Sequence, residues 1–133
     1  MWGRIYATAA FAQVERGDPE AAARSIRAAA AAAARYGDCP SCSALLNPVA
    51  AEAYAMLGDG ASGRSYAAAA GGVASMFASS AWKAMAESAA ASVAAAEGDT
   101  TGACAGFESA ATLYGRAGQP YWQGRSSAQA AAA

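Results

Sequence analysis

Long Ala-rich stretches carry large apolar side chains only at wide intervals, and short polar marks rich in Gly, Asp, Ser and Pro break those stretches at regular distances. Ala is the best helix former, because it loses no side-chain entropy in a helix and buries no polar group. Val, Ile and Thr are few, so no run has the character of a strand. The pattern predicts an all-α chain with helices over 2–16, 19–36, 43–57, 61–77, 80–97, 101–116 and 121–131. Helix content is expected above about 70%.

The marks recur. Gly-Asp stands at Gly17-Asp18, Gly58-Asp59 and Gly98-Asp99, spaced by 41 and 40 residues. Trp2, Trp82 and Trp122 lie 80 and 40 apart, and Cys42 occupies the place of the missing member. A third series, Tyr36 to Pro40, Phe77 to Ala81 and Ala117 to Tyr121, marks the far end of each unit. Between the marks one large residue falls in each second helix, at Ile26, Tyr66 and Phe107. Self-similarity at a fixed period is the signature of a repeat architecture. The units run over about 1–40, 41–80 and 81–120, followed by a terminal helix at 121–133, all in one domain.

The turn chemistry is local. Gly takes the left-handed position that ends the first helix of a unit, and Asp accepts the free amide hydrogens that open the second. Asp18-Pro19-Glu20 states it most fully: Asp caps, Pro occupies the first helical position, and Glu sits at the positive end of the dipole.

A unit of helix, tight turn, helix and loop resembles the tetratricopeptide-type hairpin, stretched from about 34 residues to about 40. The resemblance implies an α-α superhelix of three hairpins plus a C-terminal helix. It places small residues where paired helices approach: Ala10, Ala51 and Ala91, then Ala22, Gly63 and Ala103, then Ala29, Ala70 and Ala110. It matches the family's large residue in the second helix at Ile26 and Phe107, whereas the middle unit has Ala67 there, with Tyr66 beside it. The wording of CPSCSALLNPVAAEAYAMLGD, SAWKAMAESAAASVAAAEGD and GRAGQPYWQGR is similar to the helical-repeat C-terminal regions of large bacterial regulators that join an ATPase to a LuxR-type DNA-binding domain or a cyclase domain. That similarity implies a sensor or scaffold region. The chain opens at a unit start and stops after Trp122 has begun a fourth, as expected of a piece of a longer solenoid whose parent holds further repeats, an ATPase or a DNA-binding domain.

Charge and composition narrow the function. Nine Lys+Arg against ten Asp+Glu give a net charge of -1, which lacks the footprint that nucleic acid or an anionic membrane requires. There is no His, which excludes Ser-His-Asp and Cys-His catalysis and every imidazole metal ligand. Glu15, Glu52, Glu87 and Glu97 are available acids, but they fall in different helices with no evident partner, as solvated carboxylates do. No catalytic residue, no cofactor and no resident metal are expected, and the location is expected to be cytoplasmic.

Cys39-Pro40-Ser41-Cys42 is the one string that invites chemistry. It resembles a glutaredoxin-like redox motif, yet a strand before it and a sheet after it are missing, and Cys104 alone cannot complete a thiol zinc site. The expected role is therefore a partner-binding module, with a protein or peptide held on the concave face of the first helices. By the family's register that face includes Arg4, Phe11, Glu15, Leu45, Glu52, Met56, Met85 and Ser88. The rival reading is a thiol-redox or metal-responsive module using Cys39 and Cys42.

Overall fold

The computed structural model describes residues 2–133, and Met1 lies outside them. The chain is all-α and 84% helical, with no strand among the described residues. In order the helices are α1 (Trp2–Glu15), α2 (Pro19–Tyr36), the single-turn α3 (Pro40–Ser43), α4 (Leu46–Met56), α5 (Gly60–Met76), α6 (Ser80–Ala96), α7 (Thr100–Arg116) and α8 (Pro120–Ala132). Apart from α2 and α3, chain neighbours pack on one another; α4 also packs against α1, α2 and α6, and α3 against α1.

The three Gly-Asp turns share one geometry. Gly17, Gly58 and Gly98 adopt φ of 72°, 75° and 84°, a region that only Gly enters without strain. The amide of each following Asp donates back to the carbonyl five residues earlier: Asp18 to Gln13, Asp59 to Tyr54 and Asp99 to Ala94, each at 2.9 Å. This satisfies carbonyls left open at the helix end. The same Asp side chains then accept from the amides of Ala21, Ser62 and Gly102 and so cap the next helix. Gly118 repeats the turn with φ 68° before α8, where Gln119 stands in place of Asp and makes no side-chain cap.

One helix departs from expectation. The helix predicted over 43–57 starts only at Leu46 as α4, and the single-turn α3 before it meets the predicted span at Ser43 alone. Pro48 is the physical reason: it has no N–H to donate to Ala44, and its ring opposes a continuous helix four residues back. Placed in the first turn of α4, it is tolerated.

The core is built from small residues at close approach. All nine small positions named above are buried. A Cβ added at Gly106 would lie 2.9 Å from the Ala91 Cβ, and one at Gly63 would lie 3.3 Å from Val93. Only a stripe of Ala and Gly lets these helices sit so near. Ile26 is fully enclosed and Phe107 is 4% exposed. In the middle unit Tyr66 supplies the large residue by stacking on Tyr54, with ring centres 5.7 Å apart and planes within 5°. Trp82 stacks on Phe77 across the junction of α5 and α6, and Trp2 stacks on Tyr36.

Candidate functional site: an apolar groove closed by the last helix

Three first helices present one face each to a common cavity of about 360 Å³. From α1 come Arg4, Ala7, Thr8 and Phe11; from α4 and the residue before it, Leu45, Pro48, Val49 and Glu52; from α6, Met85, Ser88 and Ser92. The spacings of three, four and seven residues put each set on a single helix face. Tyr114 of α7 and Trp122 and Arg125 of α8 complete the wall. Six of the eight residues expected on the inner face therefore line one cavity. The other two continue the same stripes one turn further: Glu15 follows Phe11 and Met56 follows Glu52. Met56 is 47% exposed beyond the cavity, and Glu15 meets α8 at its edge.

Arg125 organises the closed end. Its Nε donates to Glu15 Oε1 at 2.8 Å, its Nη2 to Glu52 Oε1 at 2.8 Å, and its Nη1 to Gln129 Oε1 at 3.2 Å. Gln129 Nε2 also donates to Glu52 Oε1 at 3.2 Å, and the Tyr121 hydroxyl donates to Glu15 Oε2 at 3.1 Å. The guanidinium lies 5.4 Å from the Phe11 ring centre and 5.9 Å from that of Trp122, within cation–π range. Burial works against the charge of Arg125, but Glu52 and Glu15 outweigh it and raise its pKa further. Two of the four carboxylates expected to be solvated and unpartnered are thus tied to one buried cation. A third, Glu97, pairs with Arg64 on the surface.

Trp122 does not simply pack between units. Its ring lies 4.9 Å from Phe11 of α1, stacks on Tyr114 at 6.0 Å and meets Tyr121 edge-on at 5.3 Å. The last helix thereby reaches the first across the inner face. Sequence reading missed Tyr114, Trp122 and Arg125 as groove residues. The 40-residue Trp series marked Trp122 as a unit start, and nothing local to Arg125 signals partners 73 and 110 residues away.

No protein-family model, curated protein or solved structure matches this chain. Its chemistry has to be read from the side chains themselves. No helix among the described residues is long and apolar enough to cross a membrane.

At the closed end of the groove Glu52 and Arg125 are paired with one another. Burial pushes the Tyr114 phenol up to about 12, with Arg125 opposing that rise and Glu52 adding to it. Tyr114 is 3% exposed. The folded pKa lies above the unfolded one, so this stability is fully present below pH 10 and is lost as pH rises from about 10 to about 12. The loss is on the order of 2 kcal/mol over that window, at about 1.4 kcal/mol per pH unit. Urea unfolding at pH 9 and pH 11 should therefore give a steeper fall for the native chain than for Tyr114→Phe, which has no phenol to ionise. Equal slopes would show that Tyr114 ionises without resistance.

The other candidate residues lie elsewhere. Cys39 and Cys42 sit at α3, with sulfurs 3.0 Å apart. Cys104 is half-buried on α7, its Sγ 3.8 Å from Glu108 Oε1. Asp38, beside the pair, accepts from the Ser43 hydroxyl. Among the described residues no three His, Cys, Asp or Glu side chains gather where a metal ion could be held.

Proposed function

We propose that the chain is an α-α superhelix of three hairpins of about 40 residues plus a terminal helix, and that it binds a protein or peptide partner in the groove on its inner face. The occupant is a peptide segment that inserts an apolar side chain between Phe11, Leu45, Val49, Met85 and Trp122, with acidic groups beside it facing Arg4 at the rim. The observation that carries this reading is the convergence of three helix faces and α8 on one apolar cavity. Buried aromatic and aliphatic anchors in such a pocket dominate binding energy.

Three further points support recognition over catalysis. Glu52 and Arg125 neutralise one another, Tyr114 holds its proton, and the Ser92 hydroxyl donates to the Ser88 carbonyl at 3.0 Å, so none of them is poised as a base or nucleophile. On the resemblance of the repeat wording alone, we infer a scaffold or sensor module of a signalling or transcriptional regulator, without direct contact to nucleic acid or membrane.

Selection from a displayed random-peptide library tests this. Recovered peptides should share an apolar anchor with nearby acidic residues. Met85→Glu, which puts a carboxylate into the apolar wall, should weaken them at least about tenfold, or about 1.4 kcal/mol, with the helical circular dichroism unchanged. Peptides that bind Met85→Glu as well as the native chain would contradict the groove as the site.

A further inference from the structure

Outside the groove, the segment joining α2 to α4 holds a second site that stands independently of the partner-binding reading. Cys39 precedes α3 and Cys42 lies within it, three residues on, so one helical turn brings both side chains to the same side. The amides of Cys42 and Ser43 both donate to the Cys39 carbonyl at 2.9 Å and close that turn. The two sulfurs are 3.0 Å apart, and a disulfide spans about 2.05 Å. About 1 Å of side-chain movement therefore joins them.

The surroundings favour exchange at this pair. Cys39 is exposed and Cys42 is half-buried behind it. Both line a cavity of about 200 Å³ between α1, α2 and α4, with Trp2 and Tyr66 among its walls. The Cys42 backbone is held from behind, since a Cβ on Gly3 would lie 3.0 Å from its carbonyl carbon and oxygen. Closure has to come from the side chains while the backbone stays.

The geometry points to a thiol-exchange site, in which Cys39 and Cys42 form a reversible intramolecular disulfide by reaction with a low-molecular-weight disulfide such as oxidised glutathione. The Cys39 thiolate attacks one sulfur of the small disulfide, whose S–S bond breaks and releases one small thiolate. Cys42 then loses its proton and attacks Cys39 Sγ, displacing the second small thiolate. The two cysteines are oxidised by two electrons, the small disulfide is reduced, and the protons given up by the cysteines end on the two small thiols. Cys39 is the attacking group because it is exposed, and because hydrogen bonding with the Cys42 side chain and backbone holds its thiol below the ordinary range. The resulting bridge ties the end of the α2 linker to α3 and so stiffens the junction between the first two units.

Equilibrating the folded protein with reduced and oxidised glutathione, followed by acid quench, alkylation and peptide mapping, reads this directly. The expected products are a Cys39–Cys42 disulfide that reverts on adding reduced glutathione, and Cys104 recovered alkylated. Cys42→Ser should stop at a stable mixed disulfide on Cys39. The same exchange in urea should close the pair at least tenfold more slowly, because the turn that apposes the sulfurs is then absent. Recovery of both cysteines as thiols or separate mixed disulfides would overturn the proposal, as would closure at equal rates in folded and unfolded chains.

Discussion

Phe107→Ala is expected to lower stability by about 3–5 kcal/mol, a large share of the roughly 5–15 kcal/mol that holds a small domain folded. Only 26 of the 133 residues are Leu, Ile, Val, Met, Phe, Trp or Tyr, so each large buried side chain carries an unusual share of the apolar burial. Phe107 shares a buried cluster with Ala91 of α6 and Ala103 of α7, and Ala130 of α8 packs against that cluster. The Ala side chains around it cannot reach into the space it would vacate. Urea titration followed by circular dichroism checks this, with exposed Ala105→Ser as the neutral control. A loss below about 1 kcal/mol would mean that the helices collapse onto the site more freely than their close contacts allow.

Arg125→Met should be the second most damaging change, at about 2–3 kcal/mol. Removing the cation leaves the Glu52 carboxylate, whose side chain is 17% exposed, facing Glu15 without compensation. The figure stays below the 3–5 kcal/mol of a fully buried pair because the Glu15 side chain is 37% exposed and keeps part of its hydration. Methionine preserves much of the contact with Phe11 and Trp122, so the loss reports charge more than packing. Adding Glu52→Gln to Arg125→Met should restore part of the stability, and a double-mutant cycle gives the coupling. Strict additivity would show that the two groups do not sense each other.

How legible the chain was depends on how local the determining chemistry is. The Gly-Asp turns could be read residue by residue, because the positive φ of Gly98 and the cap of Asp99 are decided within one turn of helix. The small positions came from the resemblance: with the tetratricopeptide pattern hung on Gly17, Gly58 and Gly98, Ala10, Ala51 and Ala91 fall where paired helices approach, and all three are buried. The break at Ala44 is written in Pro48, which has no N–H to donate to the Ala44 carbonyl. The apposition of Cys39 and Cys42 follows from a spacing of three in a helical turn, which α3 supplies. What could not be read is the return of α8 onto α1. Trp122 and Arg125 meet Phe11 and Glu15 across more than 100 residues of chain, and no local pattern encodes a contact at that separation.

The groove is the centre of this account, and methionine methyl NMR reaches it most directly. The chain has four methionines, Met1, Met56, Met76 and Met85. Met85 lines the cavity, whereas Met56 and Met76 are 47% and 69% exposed outside it. In protein labelled at the methionine methyl carbons, titration with a peptide selected from the library should shift or broaden the Met85 resonance and leave that of Met76 in place. Movement of Met76 with Met85 unchanged would contradict the groove as the binding site.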